Sequence, residues 1–268
     1  MATQIPVFVI SLKNSSERRR RLEAHFKKIG LAFEWYDAIY GKDLSEDDVA
    51  ACCNIEAVKN SPNWLTRSAI GCALSNYNIY KEIVRRQLPY AIIFEDDVVL
   101  KKGFEKHIES LVPKLKKNEV ISLFYQSWEP LQLVKNTGIE FDKGHKLYEV
   151  ADMMQPISAA AYLITLDACK TLSASILPIK YTADSWGEFR KNGSFESFRC
   201  AYPRLVDVID AKSTIQYLED DWKGKLMKWI DNNKVFPVYQ YLRYKRKKNR
   251  QKMMNVEIVD TTKNTSHV

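Results

Sequence analysis

The segment Tyr90-Ala-Ile-Ile-Phe-Glu-Asp-Asp-Val-Val-Leu100 constrains this chain more than any other. An apolar run suited to a buried strand leads directly into Glu95, Asp96 and Asp97, then turns apolar again. Carboxylates clustered at the end of a buried strand are costly unless something compensates their charge. A hard divalent metal, which takes oxygen ligands, is the most direct compensation. Alternate side chains of a strand share a face, so Glu95 and Asp97 are expected to meet one ligand while Asp96 faces the other way. Two carboxylates are the usual protein share of a Mg²⁺ or Mn²⁺ site that phosphate oxygens and water complete. The competing reading of the triplet is an inert, solvated acidic turn.

The flanking pattern says where such a site sits. Residues 5–11 read as a buried strand, and Asn14 with Glu17 as the start of a helix that Gly30 stops. Residues 32–36 read as a second strand, giving a β-α-β unit and a parallel sheet. Ser45 with Asp48 opens a short helix through Val58, and a longer helix runs from Thr66 to Arg86 before Pro89. The strand 90–94 then delivers the acids at its carboxyl end, where α/β sheets bind ligands. Further strands are expected at 120–124, 147–150 and 160–165. Helices are expected at 167–174, 183–191, 219–231 and 238–253, with a loop after Pro203. The chain thus divides into an α/β catalytic domain (1–218), a basic helical extension (219–255) and a disordered polar tail (256–268).

Composition narrows the partners. The formal net charge of +8 is concentrated in residues 241–252, where lysines and arginines alternate with tyrosine and leucine. That tract suits an anionic membrane surface better than nucleic acid, with a solvated helix end as the bland alternative. Five cysteines without CxxC spacing suit a reducing compartment, and four histidines at no ligand spacing from a cysteine argue against zinc. His107 and His145 read as exposed. No stretch reads as a signal peptide or approaches the ~20 apolar residues of a membrane span. The chain is expected to be soluble or peripheral to a membrane.

Three blocks together resemble glycosyltransferase family 25, the lipooligosaccharide-type galactosyltransferases. They are Val9-Ile-Ser-Leu12 with Ser16-Glu-Arg-Arg19, Ala69-Ile-Gly-Cys-Ala-Leu-Ser75, and Ala91-Ile-Ile-Phe-Glu-Asp-Asp-Val98. Asp37-Ala-Ile39 and Ala160-Ala-Tyr-Leu-Ile164 are also similar, so the resemblance covers residues 5–215. It implies a GT-A-like fold, a UDP-sugar donor (UDP-galactose first, UDP-glucose as the alternative) and inversion at the sugar carbon. On this resemblance Glu95-Asp96-Asp97 stands as the DXD motif. Asp97 would ligate Mn²⁺ (or Mg²⁺), Glu95 would support the metal or the ribose, and Asp96 would be structural or bind ribose. Ile10, Ser11 and Leu12 would lie under the uridine, with Arg18 close by. The acceptor would be a saccharide of lipooligosaccharide or lipopolysaccharide. The chain departs from the family pattern at Ala69, where an acid is common, and at Asn76, where histidine is common. Gly71 is read as a close-packing residue.

An inverting transfer needs a base for the acceptor hydroxyl, expected from the second half of the chain. Asp184 is the first candidate, with Trp186 beside it as a sugar platform; an N-cap is its ordinary alternative. Glu188 and Asp152 follow. The competing functions are a metal-dependent phosphohydrolase and a non-catalytic basic module for membrane or nucleic acid. The second leaves the buried acids unexplained.

Overall fold

A computed structural model describes residues 5–61, 65–209 and 222–260. The chain opens with β1 (Val7–Ser11), α1 (Ser16–Ile29), β2 (Glu34–Asp37), α2 (Glu46–Cys52), α3 (Ile55–Asn60) and α4 (Arg67–Arg85). Next come β3 (Tyr90–Glu95), β4 (Val98–Leu100), α5 (Phe104–Leu111), β5 (Glu119–Ser122), β6 (Leu131–Val134), β7 (Ile139–Asp142) and β8 (His145–Glu149). Then follow β9 (Ala161–Thr165), α6 (Leu166–Ser175), α7 (Trp186–Lys191), β10 (Ser197–Tyr202) and β11 (Val206–Val208). The last elements are α8 (Trp222–Asn233), α9 (Val238–Met253) and β12 (Val256–Val259).

The central sheet runs β2-β1-β3-β9-β5-β10-β8-β7. β2, β1 and β3 are mutually parallel, as are β5 and β10, and β9 is inserted antiparallel between the two groups. The expected α/β architecture, a largely parallel sheet flanked by helices, is therefore present. β3 shows the period-two logic directly. Ala91 and Ile93 pack with α4, α6 and α7 on one face, while Ile92 and Phe94 pack with α1 and α5 on the other. Glu95 continues the side facing α4. The carboxyl ends of β1, β2 and β3 lie side by side, which gathers Ser11, Asp37 and the acid triplet at one edge.

Local signals set the helices. Gly30 closes α1 in the left-handed conformation, φ 77°. Ser45 and Asp48 form the expected capping box on α2, and Thr66 caps α4. Other expectations shift. α1 is preceded by Ser15 rather than Asn14. The helix expected through Val58 is two helices, because Asn54 caps a second one. Thr165, not Asp167, caps α6.

Larger corrections come from non-local pairing. The segment after Pro203 contains β11, which pairs antiparallel with β4. The tail expected to be disordered from Val256 holds β12, parallel to β6; residues 261–268 lie outside the described residues. Both partners gain backbone hydrogen bonds that a polar, short segment does not advertise. His107 and His145 are half-buried and stacked, ring centroids 4.1 Å apart, and His107 Nδ1 is 2.8 Å from Asp142. All five cysteines are free thiols.

One close crossing shapes the site. A Cβ at Gly71 would stand 2.7 Å from the Gly41 nitrogen and 2.7 Å from the Ile39 carbonyl. Ser75 reinforces the contact: its hydroxyl accepts from the Ile39 N–H (2.8 Å) and donates to the Gly71 carbonyl (2.7 Å). The loop after β2 is thereby fastened to α4. Gly71→Ala is expected to lower stability by about 1–3 kcal/mol through overpacking, read as a lower denaturant midpoint at unchanged m-value.

Candidate functional site

Glu95 ends β3, and Asp96 and Asp97 form the tight turn to β4. Its anchoring is asymmetric. Ser11 Oγ donates to Asp96 Oδ2 at 2.6 Å, and Arg18 Nη1 donates to Asp96 Oδ1 at 2.8 Å. Arg21 Nη2 donates to the Asp96 carbonyl at 3.0 Å, and Ile209 N–H to the Asp97 carbonyl at 2.8 Å. Burial works against the Arg18 charge, but the Asp96 hydrogen bond and the three surrounding carboxylates outweigh it and raise its pKa. Both Asp96 oxygens are engaged, so this residue fixes the turn to β1 and α1.

Glu95 and Asp97 are left facing open space. Asp97 Oδ1 is buried and has no hydrogen-bond partner. Burial raises the Asp97 pKa, with Asp96 adding to the rise and Arg18 and Arg21 opposing it. Burial pushes Glu95 to about 8, helped by the charges of Asp97, Asp184 and Asp96 and opposed by Arg18. Glu95 retains some solvent contact through the cavity, which tempers that shift. A pair of carboxylates that resist ionisation, one with an orphaned buried oxygen, is the donor set a hard divalent cation fits. Among the described residues no group of three or more acid, histidine or cysteine side chains is arranged to hold a metal alone. Glu95 and Asp97 would thus supply only part of a coordination shell.

Three cavities run in series past this pair, and two of them are lined by it. The first is lined by Ile10, Ser11, Leu12 and Arg18 from the β1–α1 segment, by Tyr40, and by all three acids. The second, central cavity shares Glu95 and Asp97 and adds Asp184 and Trp128. The third, outer cavity shares Asp184 and Trp128 and adds Glu188. The expected nucleotide residues and the first two candidate bases are therefore brought to one connected cleft. Cys72 and Asn76 on α4 line its first part. Asn76 accepts from the Tyr162 hydroxyl at 2.6 Å, and Tyr162 also meets Tyr80 at 2.9 Å, so Asn76 belongs to a buried polar chain.

Asp184 does not cap α7; Ser185 precedes that helix. Its carboxylate accepts from the Ser158 N–H (3.1 Å) and the Thr182 hydroxyl (2.7 Å), which hold it toward the central cavity. Asp152 is exposed and accepts from the Met154 N–H at 2.8 Å, a turn-capping position outside these cavities. Trp186 is 1% exposed, packed against Tyr162, Phe195 and Phe198, with its indole N–H on the Ser158 carbonyl. It is a core residue that borders the outer cavity with almost none of its ring exposed. Trp128 is instead the exposed indole that lines the central and outer cavities, a placement for which the sequence carries no signal. Met253 also lines the central cavity from the far end of the chain, a placement without a local sequence signal.

The model of glycosyltransferase family 25 (LPS biosynthesis protein) matches residues 4–186, and the chain belongs to that family. It is 28% identical over 169 residues to procollagen galactosyltransferase 1-A of Xenopus laevis, covering 60% of this chain and 24% of that protein. It is 28% identical over 173 residues to the lipooligosaccharide biosynthesis protein lic2B of Haemophilus influenzae, covering 63% of this chain and 62% of that one. It is 32% identical over 111 residues to the inactive glycosyltransferase 25 family member 3 of Mus musculus, covering 40% and 19%. The chain thus spans less than two thirds of these relatives. A solved glycosyltransferase involved in glycosylation of the major capsid of PBCV-1 aligns over 79% of this chain and 95% of its own. Its TM-score is 0.37 at 9% identity, too low a similarity to bear on the site.

A glutamate whose pKa is raised on folding holds its proton more tightly in the native state. Its contribution is full below the ordinary glutamate range and is lost as pH climbs toward about 8. The metal-free protein is accordingly expected to melt lower at about pH 9 than at about pH 6, and Glu95→Gln to flatten that slope, read by calorimetry in chelator.

Proposed function

We propose that this chain is an inverting glycosyltransferase that moves a hexose, galactose first, from a UDP-sugar to a saccharide of lipooligosaccharide or lipopolysaccharide. The observation that carries the reading is the Glu95–Asp97 pair, with its unpartnered buried oxygen, standing between a cavity edged by residues 10–12 and a cavity that holds Asp184. Family membership supports a UDP-sugar donor, and the printed names of two relatives favour galactose and lipooligosaccharide.

In this mechanism Ile10, Ser11 and Leu12 form the floor for the nucleoside, and Arg18 contributes positive charge beside the diphosphate. Glu95 and Asp97 are the residues that would hold Mn²⁺ or Mg²⁺. Bound there, the metal would act as a Lewis acid on the departing diphosphate. Asp184 accepts the proton of the acceptor hydroxyl while that oxygen bonds to the anomeric carbon. The bond from that carbon to the diphosphate oxygen breaks, and UDP leaves with the electron pair. The Ser158 N–H and the Thr182 hydroxyl orient the Asp184 carboxylate for the task. Glu188 lies on the acceptor side and is the reserve base.

UDP release from UDP-galactose with Mn²⁺ and an acceptor extract tests the reading, with UDP-glucose as the comparison donor. Asp97→Ala is expected to reduce turnover roughly a hundredfold or more, the scale of a lost metal contribution. Asp184→Asn is expected to reduce kcat by about 10²–10⁴ with UDP affinity retained. No UDP release from any donor sinks the transferase reading; phosphate release without UDP favours a hydrolase; wild-type kcat in Asp184→Asn removes it as base.

The same proposal places the enzyme on the cytoplasmic face of an anionic membrane. No helix among the described residues is long and apolar enough to cross one. Support comes from α8, α9 and the link between them, where Trp229, Phe236, Tyr241 and Tyr244 are exposed, as are Arg243, Lys245, Lys247 and Lys248. Each cation near such a surface contributes about 1 kcal/mol. Converting Lys245, Lys247 and Lys248 to glutamate is expected to abolish sedimentation with phosphatidylglycerol vesicles; unchanged sedimentation would refute the membrane role. Charge reversal is the cleaner test than truncation, because Met253 lines the cleft.

A further inference from the structure

Trp128 is 68% exposed, an unusual position for an indole in a loop beside a cavity. It is shared by the central and outer cavities, as Asp184 is. The backbone leading into it is pinned, and beyond it the Leu131 N–H donates to the Asn255 carbonyl at 3.0 Å. Gln126 and Ile157 exchange N–H to carbonyl hydrogen bonds of 3.0 and 2.9 Å, and the Ser127 N–H donates to the Met253 carbonyl at 3.0 Å. A fixed backbone carrying a free aromatic ring is a preorganised apolar face. The outer cavity sets that face against two carboxylates, Asp184 and Glu188, and the Lys180 ammonium. An apolar ring with convergent polar groups matches a pyranose, whose C–H face is apolar and whose rim is hydroxyl.

We propose that the outer cavity is the acceptor-saccharide subsite, with Trp128 as the face on which the acceptor ring stacks and Glu188 as a carboxylate that accepts its hydroxyl hydrogen bonds. The proposal rests on the glycosyltransferase reading above. It gives the acceptor a path from solvent, across Trp128, to Asp184 and the Glu95–Asp97 pair, while the nucleotide occupies the opposite cavity. It also moves Glu188 from reserve base to acceptor recognition.

Saturation-transfer NMR on the full chain tests it, with UDP, diamagnetic Mg²⁺ and the methyl β-glycosides of galactose, glucose and N-acetylglucosamine as probes. The wild type is expected to transfer saturation to UDP and to the ring protons of at least one glycoside. Trp128→Ala is expected to cut the glycoside signal about tenfold, the scale of a lost aromatic anchor, with the UDP signal unchanged. Trp128→Phe is expected to restore much of it, and Glu188→Gln to weaken it. A glycoside signal unaffected by Trp128→Ala, or absent from the wild type while UDP binds, overturns the subsite. Absence of UDP binding in the wild type instead removes the glycosyltransferase reading on which it rests.

Discussion

The clamp on Asp96 is the interaction on which the site depends. Three adjacent carboxylates at a strand end repel one another, and a low-dielectric surrounding magnifies the repulsion. Arg18 and Ser11 both donate to the Asp96 carboxylate, one to each oxygen, and that side chain is largely buried with Arg18. Removing Arg18 would leave a buried charge uncompensated, a change that costs about 3–5 kcal/mol in comparable pairs. The clamp also decides which acids remain available. With Asp96 tied to β1 and α1, Glu95 and Asp97 face the cavity, and the far side of the turn is braced by the pairing of β4 with β11.

That division was partly legible in the sequence, for an identifiable reason. Strand periodicity separates Glu95 from Asp96, and Glu95 indeed continues the face of Ala91 and Ile93. Beyond Glu95 the chain turns, so Asp97 reaches the cavity through turn geometry and not through the pleat. The caps at Ser45 and Thr66 and the stop at Gly30 were equally readable, because each is a local contest for backbone hydrogen bonds. Gly71 was readable as a crossing point, though its partner Gly41 was not, since nothing local ties residue 41 to residue 71.

The aromatic residues mark where local reading fails. Trp186 and Trp128 both stand in polar company, and sequence alone favours Trp186 because it neighbours Asp184. Packing reverses the choice: α7 turns Trp186 inward onto Tyr162 and Phe198, while the Gln126–Ile157 bridge leaves Trp128 outside. β12 is the same lesson at longer range. Val256-Glu-Ile-Val259 is too short and too polar in its surroundings to declare itself, and it orders only by pairing with β6.

That pairing gives the basic extension two ends with different work. Arg204 donates to the Met254 carbonyl and Arg250 to the Val208 carbonyl, so the end of α9 is fastened to the catalytic body. The rest of α9 carries exposed lysines and tyrosines. At 1.5 Å per residue its 16 residues span roughly 24 Å. A helix lying on a membrane would therefore hold the cleft within about that distance of the surface, because Met253 lines the central cavity. A freely tethered basic tail would add affinity without fixing that distance, whereas a helix whose last residue forms part of the cleft wall sets both.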